Sequence, residues 1–216
     1  SIFLNKKILI YGLGRSGLST FQFLKNKSEV FLYDDSKKNL KNSISYKSIL
    51  KKEFDFIIIS PGIDINRCKL SKFLKKNSKK IHTDFDIFYS FYKNNCISVT
   101  GTNGKSTTCQ LLYEILLKHK YDVRLVGNIG NPILSAKKIK SNTIFVVEAS
   151  SYQLEYSKIF QSKYAVLLNI SPDHLERHKT VNNYVRAKFK ILNSNFKNSL
   201  GFINKKDFLI TKELKK

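Results

Sequence analysis

One stretch limits the fold more than any other: Ser98-Val99-Thr100-Gly101-Thr102-Asn103-Gly104-Lys105-Ser106-Thr107-Thr108. It joins an apolar strand-like start, Ile97 to Val99, to a helix-like run, Gln110 to Lys118. A glycine-rich turn between strand and helix turns backbone N–H groups toward phosphate oxygens, and the helix start adds positive potential. Lys105 has the reach for outer phosphates, and the Ser106 hydroxyl can sit on Mg²⁺. The spacing departs from the usual phosphate loop, which wants glycine five positions before Gly104, where Val99 stands. The tighter Gly-Thr-Asn-Gly-Lys-Ser form points to a narrower class of ATP users.

A second glycine turn lies near the N-terminus. Lys7 to Tyr11 reads as a buried parallel strand, and it runs into Gly12-Leu13-Gly14-Arg15-Ser16-Gly17 and then an apolar helix, Leu18 to Lys25. Gly-x-Gly-x-x-Gly after a strand is the dinucleotide fingerprint, and Asp34 follows Gly14 at the expected distance. The same geometry suits any nucleotide diphosphate. The N–H groups near Arg15 and Ser16 can hold a pyrophosphate, and Asp34 or Asp35 can meet a ribose or base. Taken alone, this loop also fits an NAD-dependent oxidoreductase. Two nucleotide loops in one chain favour an enzyme that joins a nucleotide-linked substrate to something else with ATP.

Strands are predicted at Lys7–Tyr11, Val30–Tyr33, Phe54–Ser60, Ile97–Val99, Val123–Val126, Ile144–Val147, Ala165–Asn169 and Gly201–Ile203. Helices are predicted at 107–119, 153–158 and 181–195. Strand–helix alternation implies doubly wound parallel sheets with functional loops at the carboxyl ends of the strands. The fold class is therefore α/β. A Rossmann-like domain over 1–93 precedes a phosphate-loop α/β domain over 94–216, with the break at the polar Tyr92-Lys93-Asn94-Asn95. The Lys-rich stretch 69–80 reads as a solvated helix face. The final run, Leu209 to Lys216, shows no obvious cap.

The formal net charge is +23, and of 39 basic residues five are Arg and the rest Lys. The Lys are spread along the whole chain without an Arg cluster or a nucleic-acid module, so no nucleic-acid partner is expected. Anionic small molecules fit the charge equally well. Cys68, Cys96 and Cys109 are odd in number and lack metal-ligand spacing, which suggests free thiols in a reducing compartment. No apolar run approaches the ~18 residues of a spanning helix, and the chain enters a strand almost at once. A cytoplasmic monomer without membrane insertion is expected.

Glu148 ends a strand in Phe145-Val146-Val147-Glu148-Ala149-Ser150-Ser151. A carboxylate opposite a phosphate loop is where a Mg²⁺ ligand belongs. Asp173 and His174 follow the next strand, in Ser171-Pro172-Asp173-His174-Leu175-Glu176-Arg177-His178. His82 and His119 lack such a setting, and His178 stays open. Tyr184, Lys188 and Ile191 share a helix face; on pattern alone Lys188 is one Lys among many.

Together these blocks resemble the Mur ligases, ATP-dependent amide-forming enzymes of peptidoglycan precursor synthesis. Within that family they look like the D-glutamate-adding branch. Four segments carry this: Gly12 to Ser19, Ser60-Pro61-Gly62-Ile63, Gly127-Asn128-Ile129-Gly130, and Glu148 to Glu155. Ala149 stands where the family more often has Leu, a packing change. The resemblance implies UDP-N-acetylmuramoyl-L-alanine and D-glutamate as substrates, joined through an acyl phosphate. It implies ATP on Gly101, Thr102, Asn103, Gly104, Lys105, Ser106 and Thr107. It implies the UDP-substrate on Arg15, Ser16, Asp34, Asp35, Asn128 and His174. Two Mg²⁺ ions are implied, with Ser106, Glu148, His174 and Lys188 as ligands. Lys188 aligns with a lysine that the family carbamylates, and Lys105, His174 and Lys188 would be the catalytic residues. Family members carry a third, C-terminal ligase domain, absent from this stretch, and the central domain here is incomplete. The 216 residues are thus expected to bind the UDP-substrate without catalysing ligation. The remaining readings are a non-catalytic UDP-sugar-binding remnant, the oxidoreductase, and a folate-glutamate ligase, against which the Gly-Asn-Ile-Gly and Ser-Ser-Tyr-Gln-Leu-Glu words argue.

Overall fold

The computed structural model describes residues 1–36 and 42–215. They form two compact units. The first comprises Ser1–Tyr92 with the excursions Ile133–Ser135 and Tyr156–Phe160; the second comprises Lys93–Pro132, Ala136–Glu155 and the chain from Gln161 onward.

In the first unit the strands are β1 (Lys7–Tyr11), β2 (Glu29–Tyr33), β3 (Phe56–Ile59) and β4 (Ile81–His82), all parallel in the order β2-β1-β3-β4. Parallel strands need helical crossovers, and these cover both faces of the sheet. Leu9, Tyr11, Ile57 and Ile59 share one core with Ile49 and Leu74, which come from α2 (Tyr46–Lys51) and α3 (Ser71–Lys76). Ile8, Ile10 and Ile58, pointing the other way, are equally buried. The connection from β1 through α1 (Arg15–Leu24) leads to one side and that from β3 to the other, so the switch point lies between Gly12 and Ser60. Gly17 fits here because a Cβ on it would lie 1.9 Å from the Gly12 carbonyl oxygen.

A helix absent from the sequence reading, α4 (Asp84–Phe91), is started by a capping box between Thr83 and Asp86. The Asp86 carboxylate does more than cap. It accepts hydrogen bonds from the Ser157 hydroxyl (2.7 Å) and the N–H groups of Lys158, Ile159 and Phe160, and it pairs with His82 Nδ1 at 2.9 Å. These bonds tie the second excursion into the first unit. They also hold the Asp86 carboxyl below its usual range despite burial.

The second unit carries β5 (Cys96–Thr100), β6 (Val123–Gly127), β7 (Ile144–Glu148), β8 (Tyr164–Leu167) and β9 (Leu200–Ile203), all parallel in the order β6-β7-β5-β8-β9. Here α5 (Lys105–Lys118) leads from β5 to one side while β8 leads to the other, placing the switch point between β5 and β8. Val99 and Val146 pack with Cys109, Leu112 and Leu116 of α5, positions at helical spacing. After α6 (Ser151–Tyr156) and α7 (Leu175–His178), helix α8 (Val181–Phe189) seats Tyr184 and Val185 against Leu167. It stops short of the predicted end at 195, tightening into a 3-10 turn at Lys190–Leu192 that buries Ile191. The last helix, α9 (Phe208–Leu214), does have a cap: Asp207 Oδ1 accepts from the Ile210 N–H at 3.0 Å. Lys216, the end of the run read as uncapped, lies outside the described residues.

The three cysteines are free, and no helix among the described residues is long and apolar enough to cross a membrane.

Candidate functional site

In the second unit, the turn after β5 delivers the chain into α5 with Gly104 at the N-cap. The first intrahelical bond runs from Thr108 N–H to Gly104 O. Helix geometry therefore leaves the N–H groups of Gly104, Lys105, Ser106 and Thr107 without helical acceptors, at the positive end of a 14-residue helix. The Ser106 and Thr107 side chains are exposed there. Thr102 and Asn103 differ: their N–H groups bond Asn169 O (3.0 Å) and Asn169 Oδ1 (2.9 Å). Lys105 Nζ bends back to the carbonyls of Gly101 (3.0 Å) and Thr102 (2.7 Å).

Lys188 meets the same loop. Its Nζ donates to Gly101 O at 2.6 Å and lies 4.7 Å from the Tyr184 ring centre. The side chain is almost fully buried. Loss of water, followed by repulsion from Lys105, lowers its pKa to about 7. One turn earlier on α8, Tyr184 OH contacts Thr102 Oγ1 at 3.1 Å, and Thr102 Oγ1 also bonds the backbone of Ser171.

Glu148 ends β7 in register with Val99, one strand over from the loop. Its Oε1 accepts from Asn128 Nδ2 at 2.7 Å, while its Oε2 is buried without a hydrogen-bond partner. Asn128 N–H in turn bonds Glu148 O at 2.9 Å. This close approach requires Gly127, whose φ is +110° and where a Cβ would lie 2.3 Å from Glu148 O. A buried carboxylate oxygen left open beside a phosphate loop fits a divalent cation, since burying such a group without a partner is costly. Among the described residues no three His, Cys, Asp or Glu side chains gather into a cage. A single carboxylate nevertheless suits Mg²⁺, which takes most of its ligands from water and phosphate.

His174 caps α7 with φ +54° and is half-exposed, with Asp173 Oδ2 at 3.6 Å and Glu176 Oε1 at 3.8 Å. Its ring packs near Tyr152 and Tyr184. His178, left open by the sequence, is a core residue. It is buried, bonded through Nε2 to Ser151 Oγ at 3.0 Å, and pushed down to about 4 by burial and by Arg177.

The first unit builds its glycine loop differently. Asp34 Oδ2 accepts from Leu13 N–H (2.6 Å) and Oδ1 from Ser36 N–H (2.9 Å), while Ser60 Oγ donates to Gly12 O (2.6 Å). Both Asp34 oxygens thus brace backbone. Asp35 receives the Tyr11 hydroxyl on Oδ2 at 2.8 Å and keeps a buried Oδ1 without a hydrogen-bond partner. Tyr33, Asp34, Asp35, Ser45, Tyr46 and Lys69 are among the residues lining a cleft of about 700 Å³. Ser16, in the first turn of α1, lies near the buried Asp84, whose pKa is raised to about 6 chiefly by burial. Arg15 beside it is exposed.

The sequence matches the Mur ligase middle domain over residues 99–216. The chain belongs to the Mur ligase family. Curated relatives named UDP-N-acetylmuramoylalanine--D-glutamate ligase include that of Rickettsia felis, 41% identical over 92% of this chain and 46% of its own. That of Caldicellulosiruptor bescii is 39% identical over 86% of this chain and 44% of its own. The chain spans about half the length of the curated relatives it matches. Among solved structures, UDP-N-acetylmuramate:L-alanyl-gamma-D-glutamyl-meso-diaminopimelate ligase from Neisseria meningitides superposes with a TM-score of 0.60 at 16% identity, over 98% of this chain and 75% of that one. UDP-N-acetylmuramate-alanine ligase from Thermotoga maritima gives 0.53 at 17%, over 96% and 51%. At such identities the likeness speaks for the Mur ligase fold alone.

Asn169 is the residue that sequence reasoning missed in this Mur ligase site. It lies 66 positions from its partner Asn103, and nothing local in the sequence marks the pairing.

Proposed function

We propose that this chain carries the substrate- and ATP-binding parts of a ligase that adds D-glutamate to UDP-N-acetylmuramoyl-L-alanine. In this reading residues 1–93 bind the UDP end of the substrate and 94–216 bind ATP. One observation carries it: the open N–H groups of Gly104–Thr107, with Lys105, follow β5, and the unpartnered oxygen of Glu148 belongs to the end of the adjacent strand β7. The names of the curated relatives supply the substrates.

The helix start holds the phosphates of ATP, and Lys105 swings from the Gly101 and Thr102 carbonyls onto the outer phosphate. Glu148 and Ser106 would hold Mg²⁺, which when bound neutralises charge on the transferring phosphoryl group. Asn128 fixes the Glu148 carboxylate so that one oxygen faces the site. The substrate carboxylate attacks the γ-phosphorus, ADP leaves, and the amine of D-glutamate then displaces phosphate from the acyl phosphate to form the amide. Lys188, partly neutral near pH 7, is in the form that can add to CO₂ and lose a proton, becoming the anionic carbamate that the family resemblance implies. His174, on the rim beside Tyr184, is assigned to the muramoyl substrate and to a second metal. Asp35, which lines the 700 Å³ cleft, meets the uridine. Asp34 shapes the loop that receives the pyrophosphate, together with Arg15 and Ser16. A cytoplasmic monomer fits these soluble substrates.

Calorimetric titration of the purified chain with Mg–ADP tests the reading. Saturable binding that is lost in Lys105→Ala supports it, and binding unaffected by that change contradicts it. D-Glutamate-dependent ADP formation by the 216-residue chain would overturn the expectation that it binds without ligating.

A further inference from the structure

The bonds of Asn169 fix more than two N–H groups. Across a trans peptide the N–H and the preceding C=O point in opposite directions. Thr102 N–H is held by the Asn169 backbone oxygen, so the Gly101 carbonyl must face the other way; it receives Lys188 Nζ and Lys105 Nζ. Asn103 N–H is held by Asn169 Oδ1, so the Thr102 carbonyl likewise turns away; it receives Lys105 Nζ. Asn169 Nδ2 closes the pairing by donating to Asn103 O at 3.1 Å. One side-chain amide therefore grips Asn103 on both its N–H and its C=O, although Asn103 is exposed and water could satisfy both groups. Two consecutive carbonyls of the loop are aimed at the lysines as a consequence.

We infer that Asn169 is the positioning residue of this phosphate loop, setting the two peptide planes that park Lys105 and Lys188 and confining anion contact to the N–H groups of Gly104–Thr107. The inference rests on the reading of this loop as the ATP site and assigns a residue to it that neither the loop motif nor the metal carboxylate includes. The bland alternative is a brace that merely tidies an exposed turn; it predicts no effect on nucleotide binding.

The test uses the 216-residue chain, with Mg–ADP as the probe and amide hydrogen exchange followed by NMR. In nucleotide-free wild type, the Thr102 and Asn103 amides are expected to be protected while those of Ser106 and Thr107 exchange fast. In Asn169→Ala the backbone oxygen remains, so Thr102 keeps protection, Asn103 loses it, and Mg–ADP affinity falls about tenfold. That loss is smaller than for Lys105→Ala, and UDP affinity, a check on the fold, stays unchanged. Unchanged Mg–ADP affinity in a variant that has lost Asn103 protection would overturn the inference while leaving the ATP site intact. Absence of Mg–ADP binding by wild type would overturn the ATP reading and this inference together. If Asn169→Ala does not fold, the wild-type exchange measurement decides: free exchange of Asn103 before nucleotide arrives overturns the inference.

Discussion

The two glycine loops share strand, turn and helix, yet their surroundings have opposite character. The Gly12–Gly17 loop is held by acids: Asp34 on the Leu13 amide and Asp35 on the Tyr11 hydroxyl. The Gly101–Ser106 loop is held by neutral groups, Asn169 and Tyr184, and faced by two lysines. Carboxylates suit the donors of a ribose or a base, and lysines suit a chain of phosphates. A glycine motif thus states where a nucleotide can approach, and residues from neighbouring strand ends decide which part of it is gripped.

The sharpest way to break this contrast is Lys105→Ala, which should weaken Mg–ADP binding about 100-fold, by analogy with the loss of a charge-stabilising group, and leave UDP binding unchanged. Equal losses for both ligands in a titration would erase the distinction between the loops. Next comes Gly17→Ala. Its Cβ would meet the Gly12 carbonyl oxygen at 1.9 Å, so the change should cost about 3 kcal/mol or more in urea unfolding and abolish UDP binding. A near-neutral result would mean that the first loop is not tightly built.

Asp34→Asn sharpens the comparison from the other side. Replacing a charged acceptor of two backbone amides should cost about 1–2 kcal/mol, with UDP weakened and Mg–ADP unaffected. A further test concerns pH dependence. His178 takes up a proton near 6.5 when unfolded and near 4 when folded. Its contribution is therefore neutral above pH 6.5, and stability falls as pH drops toward 4, because only the unfolded state binds the proton. Urea midpoints across that window should show this slope in wild type and a shallower one in His178→Gln.

Much of this frame was legible in the sequence. The apolar runs at Lys7–Tyr11 and Ile144–Val147 became strands β1 and β7, because a strand buried on both faces must be apolar throughout. Helix α4 escaped because Asp84–Phe91 is aromatic-rich rather than periodic; its signal was the Thr83–Asp86 cap. The Asp207 cap of α9 is hidden in the sequence for a different reason, since a cap is visible only once the helix start is known. In the candidate site, Glu148 could be read from its strand end. What could not be read was any contact formed across the sheet: the bond of Asp34 to the Leu13 amide, the grip of Asn169 on Asn103, or the burial of Lys188 that lowers its pKa. Such contacts depend on which strands become neighbours, which local pattern does not encode.

The most direct test of the central claim is a two-ligand calorimetric titration of the purified chain, adding Mg–ADP to protein already saturated with UDP, and the reverse. Two nucleotides with different grips predict that both bind at once, each with unaltered affinity for a chain loaded with the other. Competition, with one nucleotide displacing the other from a single site, would contradict the account.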